Sequence, residues 1–218
     1  MTSRAALFDF DGTFADTAPD LAAAVNAMRT KRGLAPLAPL APQVVRPYAS
    51  MGARGLLRIG FDMSPEDKNY IAMRDEFLGL YANALCVHTR LFAGMRDLLR
   101  ELEARAVAWG IVTNKATRFA GPLLRELDVT PACLICGDST PHLKPHPAPL
   151  LAAAAELRLP PADCVYVGDD LRDIQAARAA GMRSIAVQYG YHGTDNPGPA
   201  TWNADALIDH PLELLEHL

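Results

Sequence analysis

Six short apolar runs punctuate this chain, at residues 4–10, 107–112, 133–136, 164–167, 184–187 and 206–208. None is long enough to make a helix of its own, and a run apolar throughout fits a strand buried on both faces. Helical periodicity fills residues 95–103, 117–127, 148–157 and 171–180 between them. The last of these lies between Asp170, a good N-cap, and Gly181, a good helix stop. Strands alternating with helices dictate βαβ units, hence an α/β fold with a mainly parallel sheet and right-handed crossovers.

One interval breaks that rhythm. Residues 15–85 show no strand pattern, and helices are expected at 20–32, 43–59 and 65–84. The interval is too long for a crossover and suits a small helical subdomain inserted after the first strand. The expected division is a core of residues 1–14 and 89–218 and a helical insert of residues 15–88, hinged near 14–18 and 87–94. Residues 33–42, rich in Pro, Ala and Leu, read as a stiff connector between helices. Residues 189–202, rich in Gly, Pro, Asn and Asp, read as a loop before the last strand.

Composition narrows the partners. The 218 residues are 50% hydrophobic, enough to bury a core without disulfides or a structural metal. A net charge of −4 with no basic run longer than two residues excludes a nucleic-acid surface. No apolar stretch approaches the roughly 20 residues that span a bilayer, and the first nine residues lack a signal-peptide core, so a cytoplasmic protein is expected. Four scattered cysteines make no disulfide framework. Cys133 and Cys136 have CxxC spacing but fall on a strand with no second pair, so buried core thiols are expected.

In an open parallel sheet, ligands bind beyond the carboxyl ends of the strands. The groups delivered there are Asp9 and Asp11 after the first run, Thr113-Asn114-Lys115 after the second, and Asp169-Asp170 after the fourth. Lys144 follows the third, between His142 and His146, whose loop setting argues against a metal role for the histidines. Four elements far apart in sequence thus converge on phosphate and divalent-metal chemistry. A carboxylate is ionised at neutral pH and attacks phosphorus without a base, which suits Asp9. Asp11 lies two residues on, about 6.6 Å away in an extended strand, and Gly12 lets the backbone curl. Asp11 can then protonate the leaving oxygen and later take a proton from water. Thr13 and the turn amides can hold phosphoryl oxygens, and the Thr113 hydroxyl can do the same. Lys144 can neutralise the phosphate and Asp9 together. Asp169 is the candidate second side-chain ligand for magnesium. Asp173 can hold a metal-bound water, orient Lys144 or simply favour the helix dipole, and Asp170 is expected to cap that helix.

The pattern DxDGT at Asp9–Thr13, Thr113-Asn114, Lys144-Pro145 and Gly168-Asp169 with Asp173 resembles the haloacid dehalogenase superfamily, in order and over nearly the whole chain. The resemblance implies a Rossmann-like core with a helical cap, Asp9 as nucleophile, Asp11 as acid/base, and phosphate ligands among Gly12, Thr13, Thr113, Asn114 and Lys144. It also implies Mg2+ on Asp9, Asp169 and the backbone carbonyl of Asp11. Within the superfamily the chain is similar to phosphoglycolate phosphatases and, in Asp195-Asn196-Pro197, residues 202–205 and residues 209–214, to N-acetylmuramic acid 6-phosphate phosphatases. The cap is expected to set selectivity, with Arg46, Ser50, Met51, Gly52 and Arg54 as candidate contacts. The implied partner is a small phosphorylated metabolite, with no nucleic acid or membrane, and a monomer or homodimer is expected. Two rival readings remain at this point: a phosphosugar mutase, which keeps its phosphoenzyme, and a receiver-like signalling domain, whose phosphoacceptor would be Asp138.

Overall fold

Ala5–Phe8 form β1, buried on both faces at the middle of a six-stranded parallel sheet. The computed structural model describes residues 3–37, 42–193 and 197–218, with residues 42 and 43 as backbone alone. The other strands of the sheet are β4 (Ala108–Val112), β5 (Cys133–Ile135), β6 (Cys164–Gly168), β7 (Arg183–Val187) and β8 (Ala206–Ile208). The spatial order is β5-β4-β1-β6-β7-β8. Register brings Phe8 level with Ile111 on one side and Val167 on the other, so the strands carrying Asp9, Thr113 and Asp169 end together.

The two-residue period of a strand sorts the core into layers. Ala6, Phe8, Ile111, Val165 and Val167 face α5 (Met95–Ala104) and α6 (Thr117–Glu126) through Leu98, Leu102, Leu123 and Leu124. Ala5, Leu7, Val112 and Tyr166 face α7 (Ala148–Leu157) and α8 (Leu171–Ala180), whose small residues Ala153, Ala154, Ala176 and Ala177 allow close packing. Cys133, Cys136 and Cys164 are buried free thiols, and burial pushes Cys133 up to about 12.

Between β1 and α5 the described residues form four helices: α1 (Ala18–Lys31), α2 (Pro42–Ala49), α3 (Ala53–Phe61) and α4 (Tyr70–Asn83). Leu21, Val25, Met28, Leu56, Leu57, Phe77 and Tyr81 gather into an apolar cluster here, which Phe119 and Tyr191 join from the rest of the chain. The expected single helix at 43–59 is two helices. The chain turns at Ser50-Met51-Gly52, where Gly52 takes φ +59°, a conformation a helix cannot contain. The helix expected from residue 65 starts only at Tyr70, because Asp67 accepts from Ser64 N in a turn. The first helix begins at Ala18 rather than residue 20, with a proline in its first turn.

The interval also holds a strand, against expectation. Ala15–Asp16 form β2 and pair antiparallel with β3, Arg90–Leu91, so the two chain crossings between helices and sheet run as one ribbon. Buried Asp20 fastens the returning crossing, accepting from His88 N, Thr89 N and Thr89 Oγ1. Part of the expected stiff connector, residues 38–41, and Asp195-Asn196 lie outside the described residues. Among the described residues no helix is long and apolar enough to cross a membrane.

Candidate active site

Strand β1 ends where Asp9 N makes a last ladder bond to Val167 O. The Asp9 carboxylate then meets two donors at one oxygen. Phe10 N donates to Oδ1 at 2.7 Å, and Lys144 Nζ lies 3.0 Å from it. Oδ2 is left without a hydrogen bond among the described residues. Lys144 is buried although its loop neighbours are exposed, and its ammonium also reaches Asp173 Oδ1 and Tyr166 Oη, both at 2.7 Å. Burial works against that ammonium, but Asp173 and Asp9 outweigh it and hold Lys144 above its ordinary value.

Asp169, at the end of β6, is fixed by Thr13 Oγ1 (2.7 Å) and Tyr191 N (2.8 Å). Asp9, Asp169 and Asp173 bring carboxylate oxygens within 4.8 Å of one another. Burial first, then Asp9 and Asp173, push Asp169 well above the carboxylate range. Asp173 rises to about 6 through burial, with Lys144 pulling the other way and Asp9 adding to the rise. Three converging carboxylates with one shared ammonium fit a hard divalent cation, which takes oxygen ligands and supplies the missing positive charge. Gly12 makes this approach possible. It takes φ +86°, and a Cβ there would lie 2.2 Å from Asp169 Oδ2.

Asp11 faces the same space from the other side, accepting from Thr17 Oγ1 and, at 2.8 Å, from Lys115 Nζ. A cavity of about 380 Å³ opens over Asp9, Asp11, Thr113 and Lys144. Its far wall is apolar and comes largely from the helices: Leu21, Met51, Phe77, Tyr81 and Phe119.

The strand-end residues expected from sequence are therefore gathered in one place, but several do different work. The Thr13 hydroxyl is spent on Asp169 and is fully buried, so it is not free for a phosphoryl oxygen. Asn114 uses both ends of its carboxamide on the Lys144 backbone, accepting from N at 2.9 Å and donating to O at 3.1 Å. It braces the lysine loop while still lining the cavity. Asp170 caps α8 as expected, in a capping box with Asp173. Ser50, Met51 and Gly52 line the cavity; Arg46 and Arg54 do not. Arg46 pairs with Asp16 on the ribbon at 2.5 Å, and Arg54 lines a separate surface hollow beside Arg58. Asp138 accepts from Thr117 N and Oγ1 at the start of α6 and is not among the cavity residues, which removes the support for a receiver-like site.

Sequence reasoning placed Lys115 at a strand end without giving it a role, and gave none to Arg172 or Tyr191. Arg172 binds Asp170 and donates to the Ser50 carbonyl at 2.9 Å, and the Ser50 hydroxyl donates to Asp170 at 2.7 Å. This clasp ties the α2–α3 turn to the start of α8. The Tyr191 hydroxyl accepts from Thr17 N and Ala18 N and donates to Asp16. All three stood within stretches singled out by sequence (Thr113-Asn114-Lys115, residues 167–173 and Tyr189-Gly190-Tyr191), but no local pattern says which partner each binds.

Comparison with known proteins gives the same grouping. The haloacid dehalogenase-like hydrolase family matches residues 6–187. An N-acetylmuramic acid 6-phosphate phosphatase of Pseudomonas putida is 46% identical, over 98% of this chain and 95% of its own. A phosphoglycolate phosphatase of Xanthomonas campestris pv. campestris is 44% identical over the same shares. The crystal structure of a predicted phosphoglycolate phosphatase from Haemophilus somnus 129pt superposes with a TM-score of 0.86 at 26% identity, covering 100% of this chain and 98% of that one.

Proposed function

This chain belongs to the haloacid dehalogenase-like hydrolase family, and from that premise we propose that it is a magnesium-dependent phosphate monoester hydrolase acting on a small phosphorylated metabolite. The observation that carries the reading is the meeting of Asp9, Asp169 and Asp173, with one buried ammonium between Asp9 and Asp173, under a cavity that Asp9 lines. Asp9 Oδ2 attacks phosphorus, the P–O bond to the leaving group breaks, and the phosphoryl group rests on Asp9 as an acyl phosphate. Asp11 gives the leaving oxygen its proton. It then takes one from the water that attacks the phosphoaspartate, returning Asp9 and releasing inorganic phosphate. Thr113 and Lys144 hold the phosphoryl oxygens. Asp9, Asp169 and the Asp11 carbonyl would hold magnesium, which would supply positive charge against the phosphoryl oxygens. Residues 15–88 act as the cap and residues 1–14 and 89–218 as the core, a division supported by cavity walls drawn from both.

Between the two substrates named for the relatives, the size of the cavity favours the sugar acid phosphate. About 380 Å³ is room for about a dozen waters, far more than a two-carbon acid displaces. The test is phosphate release from 2-phosphoglycolate, N-acetylmuramic acid 6-phosphate and several sugar phosphates, compared by kcat/KM with and without chelator. Chelation is expected to cost at least about a hundredfold, restored by magnesium. Full activity after exhaustive chelation would overturn the metal reading, and isomerised substrate without free phosphate would favour the mutase.

Gly12→Ala is a sharper probe of geometry. The added methyl must displace Asp169 at an already strained φ, and displacements near 1 Å cost about a hundredfold in rate. The expected result is that loss with a folded protein; an unimpaired variant would show that Asp169 tolerates movement.

A further inference from the structure

Tyr81 holds a group that the chemistry at Asp9 leaves unused. It lies on α4 and lines the cavity, and its buried hydroxyl has no hydrogen-bond partner among the described residues. Buried hydroxyls are normally satisfied, so an orphan in a cavity wall points to a ligand that completes it. Burial pushes this phenol up to about 12, against an opposing pull from the Lys115 ammonium, which can donate towards the hydroxyl; the phenol keeps its proton and has its own O–H to give.

The surroundings specify the ligand further. Lys115 Nζ lies 4.9 Å from the Tyr81 ring centroid, the Tyr81 and Phe119 centroids are 5.4 Å apart, and Arg118 Cζ lies 4.7 Å over Phe119. Two rings in tilted contact thus lie between two cations. Lys115 is committed to Asp11. Arg118 is exposed, lines the cavity and makes no ion pair among the described residues, although Asp138 feels its charge. A planar guanidinium takes a carboxylate with two parallel hydrogen bonds, which a point charge cannot match.

Resting on the phosphatase reading above, we propose that Arg118 and Tyr81 form a leaving-group subsite: Arg118 pairs with a carboxylate carried by the substrate away from its phosphate, while the Tyr81 hydroxyl donates to a second oxygen of the leaving group. The substrate class is a carboxylated sugar phosphate. The cavity has the volume for a sugar, Phe77, Phe119 and Met51 supply apolar contact for its ring face, and Arg118 selects the acid.

The experiment uses a matched pair, N-acetylmuramic acid 6-phosphate and N-acetylglucosamine 6-phosphate, which differ by the lactyl acid. The intact protein is expected to prefer the acid by at least about tenfold in kcat/KM, the scale of a charge-assisted pair. In Arg118→Gln that ratio should collapse towards one, chiefly through KM for the acid. Tyr81→Phe should lower kcat/KM for both sugars without lowering Tm, because it removes an unsatisfied group and leaves the ring; a merely packing role would leave kinetics unchanged. An unchanged ratio in Arg118→Gln, or an unaffected Tyr81→Phe, would overturn the subsite. So would turnover of p-nitrophenyl phosphate with neither sugar accepted, which would leave the phosphatase reading standing. No release from any ester would sink both.

Discussion

Asp9→Asn is expected to abolish phosphate release while leaving the protein folded. The asparagine keeps the shape of the side chain and an Oδ1 that can accept from Phe10 N, but its amide cannot attack phosphorus. Loss of a covalent nucleophile is felt on a scale of at least about four orders of magnitude in kcat. Stability should move little, because two effects oppose. Lys144 loses one partner but keeps Asp173, and Asp169 and Asp173 lose a like charge that pushes both upward. In chelator, Tm is expected to stay within about 3 °C of the intact protein or to rise, the size of the shift from about 1 kcal/mol in a chain this size. Phosphate release within tenfold of the intact protein would remove Asp9 from the chemistry.

Lys144→Met should do the reverse, harming fold and activity together. Methionine fills the apolar part of the space but leaves Asp9 and Asp173 facing each other beside Asp169 with no cation in contact, only the more distant charge of Arg172. Breaking a buried pair by removing one partner costs about 3–5 kcal/mol, or about 6–20 °C of Tm at this chain length. The loss should depend on pH. Asp173 in the intact protein titrates at about 6, above its value in the unfolded chain, and removal of Lys144 takes away the influence that pulls it down. With the folded state binding the extra proton, stability falls as pH rises through this window. The Tm deficit in chelator should therefore be smaller at pH 5 than at pH 8. A variant as stable as the parent at pH 8 would mean that Asp173 does not depend on this ammonium. Activity should fall by at least about a hundredfold, since the positive charge beside the phosphoryl group is gone.

Sheet and core helices were legible because each was written in local pattern. Ala148–Leu157, Leu171–Ala180 and Ala206–Ile208 fall where their periodicity put them. The ribbon was not, since two-residue strands are too short to carry a period. Nor was the break between α2 and α3, which depends on backbone angles at Gly52. At the site, sequence could say which residues close the strands but not which of their atoms were already spent. Thr13 and Asn114 looked like phosphate ligands because their types suit the task, and only the folded chain shows them bonded to Asp169 and to the Lys144 backbone. Tyr191 reaches Thr17 across 174 residues of sequence, a distance over which no pattern reads.

Asp173 divides its two oxygens between different jobs: one accepts from Asp170 N to start α8, and the other receives Lys144. The first turn of that helix and the charge balance of the cavity are therefore a single cooperative unit. Fraying at residue 170 releases the lysine, and withdrawing the lysine unsettles the helix start. A molecule whose last few per cent of activity outlives the opening of this turn is not available to a chain wired in this way, so thermal inactivation should keep step with local melting here rather than wait for the whole domain to unfold.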